Sequence, residues 1–179
     1  SSMFRADHLE RKVNSLLARI NADRSSKLEV NFPGRDKWFS RSASESISRI
    51  RRAIIGERAT WARKIMWVAL SEAIRRTSNS RTSTYKLHIR PESDRELSRL
   101  PEEVFFEEVR LAVQRFRFHE CKLEKSGLLE NGRYVKKVSL KCLDTKSHRH
   151  KETFDLVLTS PPYGDNRSTV PYGQFSYLS

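Results

Sequence analysis

Phe154-Asp155-Leu156-Val157-Leu158 runs directly into Thr159-Ser160-Pro161-Pro162-Tyr163-Gly164. The first half is short, apolar and nearly continuous, the pattern of a strand covered on both faces in a parallel sheet. The second half stops it. Two consecutive prolines fix φ twice and remove two N–H donors, so the ladder ends and the nearby carbonyls stay free as acceptors. In an open α/β sheet, ligands bind beyond the carboxyl ends of the strands, which is where this corner falls. Ser160 adds a hydroxyl acceptor and Tyr163 a flat aromatic face. Rigid oxygen acceptors beside a ring suit the exocyclic amine of a nucleobase flipped out of its stack. Stacking on Tyr163, worth about 1–3 kcal/mol, would offset part of the unstacking cost.

Working back along the chain, Val138, Leu140 and Cys142 alternate with Lys137, Ser139 and Lys141, which predicts a half-exposed strand ending at Leu143-Asp144. Cys142 reads as a small buried apolar residue, and residues 145–152 as a polar connector. Asn131-Gly132 is a turn signal. Before that point the period is helical. Leu9, Val13, Leu16, Leu17 and Ile20 predict an amphipathic helix over residues 7–22. Residues 23–42, broken by Ser25, Ser26, Pro33 and Gly34, read as loop. Ile47, Ile50 and Ile54 mark a shorter helix ending near Gly56. Ala62, Ile65, Met66, Ala69, Leu70 and Ala73 mark a third, whose apolar face Trp61, Trp67 and Val68 widen. Pro101-Glu102-Glu103 opens a fourth, with Phe105, Val109, Ala112, Val113 and Phe116 as its stripe.

The fold class is therefore α/β, helix-rich at the start, with a small, mostly parallel sheet late in the chain. Residues 1–100 form a helical region with a basic loop, and residues 101–179 the α/β region carrying the motif, in one continuous but incomplete domain. A sheet of two or three strands leaves an edge uncovered, which predicts a second chain or a homodimer there.

Charge narrows the partner. Lysine and arginine number 35 against 22 acidic residues, a net charge of +13. Such an excess favours a polyanion, DNA first, because each neutralised phosphate releases counterions. Between residues 75 and 90 the cations surround the polar run Thr77-Ser78-Asn79-Ser80. Hydroxyls, an amide and cations together make Arg75, Arg76, Asn79, Arg81, Lys86 and Arg90 the candidate phosphate contacts. Two cysteines, Cys121 and Cys142, are too few for a disulfide framework, in keeping with a cytoplasmic setting. His119, Cys121, His148 and His150 match no zinc-ligand spacing, so no metal is expected. No cysteine stands near Pro161-Pro162, which disfavours covalent attack on a base. There is no phosphate-binding P-loop and no serine nucleophile elbow. No apolar run is long enough to span a membrane, and no signal peptide is expected.

The stretch FDLVLTSPPY, Phe154 to Tyr163, resembles the catalytic motif of amino-methylating DNA methyltransferases, in which an acidic or polar residue, two prolines and an aromatic follow a hydrophobic strand. Its Thr-Ser-Pro-Pro-Tyr form resembles the enzymes acting on N4 of cytosine more than those acting on N6 of adenine. Leu70 to Arg90, within ALSEAIRRTSNSRTSTYKLHIR, looks like the region preceding the motif in a subgroup of this family, so the resemblance covers residues 60–179. It implies a helix-rich, partial Rossmann-like domain. Ser160 and Pro161 would accept the target amine, Pro162 would stiffen the loop and Tyr163 would carry the base. Asp144 and Thr159 would stand on the side of S-adenosylmethionine, the family's methyl donor. One departure is plain: the family's glycine-rich cofactor turn has no counterpart among the six glycines of this chain. The chain thus resembles the second half of a catalytic domain, inactive by itself, with a missing N-terminal half or a second chain expected to carry that turn. The implied function is a restriction-modification methyltransferase. The alternative is a non-catalytic DNA-binding or assembly module derived from such an enzyme.

Overall fold

The computed structural model describes residues 5–80, 88–96, 99–139, 142 and 155–158. These form helices α1 (Ala6–Ala22), α2 (Arg35–Trp38), α3 (Arg41–Ile55), α4 (Thr60–Thr77), α5 (Glu92–Glu96) and α6 (Pro101–Lys125). A hairpin follows, β1 (Leu129–Glu130) and β2 (Arg133–Tyr134).

The helical spacing read from the sequence is what the core uses. Leu9, Val13, Leu16, Leu17 and Ile20 of α1 are buried. They meet Ile47, Ile50 and Ile54 of α3, Met66, Leu70 and Ile74 of α4, and Val104, Phe105, Val109 and Val113 of α6 in one cluster. The alanines of α4, Ala62, Ala69 and Ala73, are buried as well. Short side chains let a helix come close, and α4 packs most extensively against α6. So α6 belongs to the same core as the helices before residue 100.

Helix α3 carries a row of buried serines, Ser44, Ser46 and Ser48. The Ser44 and Ser48 hydroxyls donate to carbonyls one turn back, Ser40 O at 3.0 Å and Ser44 O at 2.8 Å. Ser46 Oγ accepts the Glu102 N–H at 3.1 Å, which satisfies one of the N–H groups left open in the first turn of α6. Arg49 Nε donates to Glu102 Oε1 at 2.7 Å beside it. Ser40 caps α3 by accepting the Ala43 N–H at 3.1 Å.

Two charged knots hold the periphery. Arg52 donates to Asp23 Oδ2 at 2.7 Å, to Glu29 Oε1 at 3.1 Å and to the Lys27 carbonyl at 2.9 Å, so one guanidinium gathers the connection after α1. Its hydrogen bond holds the Asp23 carboxyl below the usual range. Glu57, between α3 and α4, is 3% exposed. Burial pushes its carboxyl up, but the Ala59 N–H at 2.8 Å, Lys12 Nζ at 3.0 Å and Arg19 Nη2 at 3.7 Å outweigh burial and leave it below its ordinary value.

Helix α6 ends on a Schellman motif. Leu128 N–H donates to Leu123 O at 2.8 Å and Gly127 N–H to Glu124 O at 3.0 Å. Gly127 has φ +63°, a left-handed conformation that glycine adopts without a Cβ penalty. Asn131 and Gly132, both with positive φ, then turn β1 into β2.

The sheet departs from expectation. Among the described residues it has two antiparallel strands, Leu129 opposite Tyr134 and Glu130 opposite Arg133, rather than a mostly parallel arrangement. The hairpin sits on the expected Asn-Gly turn, but residues 137–139 are not strand, and Val138 and Cys142 are exposed. Leu156, Val157 and Leu158 are likewise not strand, and Leu158 is 86% exposed instead of buried. A parallel strand needs neighbours supplied by long crossovers, and the strands among the described residues, β1 and β2, pair only with each other. Val68 also differs. It lies about 200° around α4 from Met66 at 3.6 residues per turn, and is 70% exposed while Met66 is fully buried. Loop 23–42 contains α2 and the start of α3, so the second helix is longer than its isoleucines alone announced.

Candidate functional site

The basic stretch after α4 is rooted in the bundle. Thr77 Oγ1 donates to Ala73 O at 2.7 Å, and the Ser78 and Ser80 hydroxyls meet at 2.8 Å. Ser78, Asn79 and Ser80 are all buried. The Asn79 backbone donates to Trp38 O and accepts from Arg90 N–H at 2.8 Å, while its side-chain amide donates to Lys37 O at 3.1 Å. Ser80 and Ile89 bridge as an antiparallel pair. Arg90 Nε donates to Ser80 O at 2.8 Å. Ser80 and Ile89–Arg90 are therefore fastened to one another and, through Asn79, to the end of α2.

This placement sorts the expected phosphate contacts. Asn79 and Arg90 each give side-chain donors to backbone carbonyls, so they anchor the root. Arg75 is exposed at the last turn of α4, with a two-point contact to Glu72 at 2.8 and 2.6 Å. That contact holds the Glu72 carboxyl below its ordinary range. Arg76 donates to Glu108 Oε1 at 2.8 Å and ties α4 to α6. Both guanidiniums sit where the helix dipole favours cations. Arg81 and Lys86 lie outside the described residues, as do Asp144, Thr159, Ser160, Pro161, Pro162 and Tyr163.

Beside the root is a cleft of about 430 Å³ whose lining includes Ser40, Ser42, Thr77, Asn79, Arg95 and Arg99. Sequence reading passed over Ser40, Ser42 and Arg95. The run Ser40-Arg41-Ser42-Ala43-Ser44 before the isoleucine stripe was the available signal, since serine at such a point caps a helix. Arg99 is taken by Glu107 at 2.7 Å, and Arg95 Nε by the Arg90 carbonyl at 2.8 Å.

The described glycines offer no cofactor turn. Gly34 precedes α2, Gly56 caps α3, Gly127 closes α6 and Gly132 turns the hairpin. Each is used at an element's end, and none follows a strand into a helix as a dinucleotide- or nucleoside-binding turn requires. Among the described residues there is therefore no glycine turn of the kind that holds a nucleoside cofactor. Among them no three His, Cys, Asp or Glu side chains gather as a metal site, and no helix is long and apolar enough to cross a membrane.

No family model matches the chain, and no solved structure matches it. It is similar to the type II methyltransferase M.MvaI of Kocuria varians, with 31% identity over 146 residues. That match takes in 80% of this chain and 32% of the relative, so the chain spans about a third of the length of the curated protein it matches.

Proposed function

We propose that this chain is the base-holding part of a DNA amino-methyltransferase of the N4-cytosine type. The carrying observation is the similarity to a type II methyltransferase across 146 residues of a chain that contains Thr159-Ser160-Pro161-Pro162-Tyr163. Ser160 and the Pro161 carbonyl accept hydrogen bonds from the two N–H groups of the target amine, favouring a pyramidal nitrogen with a free lone pair. Pro162 keeps the corner stiff, and Tyr163 stacks on the flipped base. S-adenosylmethionine, when bound, would supply an electrophilic methyl group to that nitrogen and leave as S-adenosylhomocysteine. Asp144 and Thr159 would lie on the donor's side, and its glycine-rich turn has no counterpart among the six glycines of this sequence. Arg75, Arg76, Arg81 and Lys86 meet DNA phosphates around a root fixed by Asn79 and Arg90. A cytoplasmic setting accords with two cysteines, too few for a disulfide framework.

The test is methyl transfer from labelled S-adenosylmethionine to DNA by the natural protein that contains this chain, with and without Tyr163→Ala. Loss of transfer with folding intact supports the assignment, and unchanged transfer removes Tyr163 from the site.

A second reading has an observation of its own. The unsuited glycines favour a non-catalytic DNA-binding or assembly module. Calorimetric titration of S-adenosylmethionine into this chain, beside DNA binding at several salt concentrations, separates the two. Salt-dependent DNA affinity in a protein that never transfers methyl groups, even beside a chain carrying the glycine-rich turn, favours the module.

A further inference from the structure

Helix α4 buries one face and presents the other. Ala62, Met66, Ala69, Leu70, Ala73 and Ile74 are buried in the core. On one flank Arg51 of α3 lies over the Trp67 ring at 5.9 Å, and on the other Arg76 reaches Glu108 of α6. At 3.6 residues per turn, the arc between those flanks holds Trp61, Lys64, Val68, Ser71, Glu72 and Arg75. Lys64, Val68, Ser71 and Arg75 are exposed, and Trp61 and Glu72 are half-buried. Val68 stands at the middle of this outer stripe.

The stripe is complementary to itself. Set antiparallel to a second copy about a two-fold axis through Val68, residues equally far before and after that point face each other. Lys64 and Glu72, four residues on either side, then meet twice in one dimer. Half-buried Ile65 meets Ser71, and Trp61 meets Arg75 at the rim. A parallel pairing sets Lys64 on Lys64 and Arg75 on Arg75, which like charges oppose. The order of charges along the helix therefore selects one orientation of one partner.

The groups at the centre tolerate cover. The Ser71 hydroxyl donates back to the Val68 carbonyl at 3.0 Å, so closing over it strands no donor. Its short side chain lets a second helix come close beside Val68. Glu72 holds Arg75 at 2.8 and 2.6 Å within one chain. A carboxylate offers about four lone-pair sites, so Glu72 accepts a second cation without releasing the first. One helix from each copy is a small contact, under roughly 1,200 Å² in all, which makes the pairing reversible.

We propose that two copies of the protein pair through the outer stripe of α4, antiparallel about Val68, with Lys64 of each copy on Glu72 of the other. The inference depends neither on methyl transfer nor on the diproline corner.

The test is sedimentation equilibrium of the natural protein that contains this chain, across a concentration series. A reversible dimer is expected. Lys64→Glu and Glu72→Lys each set like charges opposite one another twice per dimer, and each should weaken dimerisation about tenfold. An equimolar mixture of these two single variants should restore it, because each chain supplies the charge that the other lacks. A role confined to one chain gives no such rescue. Val68→Asp should abolish pairing by placing two unpaired carboxylates at the centre. All three substitutions fall on the outer side of α4, and circular dichroism checks that the helices persist. A monomer at every concentration overturns the proposal, whether the stripe is then covered by the rest of the polypeptide or by water. So does a dimer indifferent to both charge reversals, which pairs elsewhere, or a mixture that stays as weak as its components. Methyl transfer, assayed separately, succeeds or fails on Tyr163 and leaves this result standing.

Discussion

The backbone N–H of Asn79 donates to the carbonyl of Trp38 at 2.7 Å. With the side-chain amide on the Lys37 carbonyl, that bond fastens the end of α4 to the end of α2.

Asn79→Ala keeps the backbone bond and removes the amide. Leaving the Lys37 carbonyl unsatisfied should cost about 1–3 kcal/mol, read as a lower midpoint in urea. An anchor should leave the DNA affinity of the folded protein unaltered. A phosphate contact would instead lower that affinity at every salt concentration, with the slope unchanged because the amide carries no charge. The two roles separate in one pair of measurements.

Glu57 should give the bundle a pH dependence. Its folded value lies below the ordinary 4.5, so its ionised form contributes stability above 4.5, and that contribution disappears as pH falls through the folded value. Glu57→Gln should lower stability by about 1–3 kcal/mol at neutral pH, where Lys12 loses its partner. The difference from wild type should narrow on acidification below about 4.5. Thermal melts of both proteins from neutral pH downward check this, and curves that stay parallel would show that Glu57 is not responsible.

Core and surface on α4 and α6 should respond in opposite ways. Phe105 is fully buried, and Phe105→Ala should cost about 3–5 kcal/mol in denaturant unfolding. Val68 is exposed, and Val68→Ala should stay within about 0.5 kcal/mol.

Much of the helical half was legible because amphipathic helices declare themselves locally. Leu9 through Ile20, and Phe105 through Val113, bury the faces that their spacing announced. Pro101 and Gly56 marked real ends. Asn131-Gly132 did form a turn. What failed was non-local. The alternation around Val138 and the run Leu156-Val157-Leu158 describe how strands look inside a sheet, and a sheet exists only where other strands are present to pair. The site reading divided on the same line. The Glu72–Arg75 pair, three residues apart on α4, follows from helical spacing alone. Composition could not show that Glu108 lies against Arg76 or that Asn79 is buried, because both depend on how α2, α4 and α6 pack.

The most direct measurement is the identity of the methylated nucleoside. DNA treated with the natural protein and labelled S-adenosylmethionine is digested to nucleosides and resolved by mass spectrometry. A diproline corner that grips an exocyclic amine, in its Ser-Pro-Pro-Tyr form, should yield N4-methylcytosine, and Tyr163→Ala should abolish it. Methyl groups on C5 of cytosine, or labelled product undiminished by Tyr163→Ala, would contradict that role for the corner.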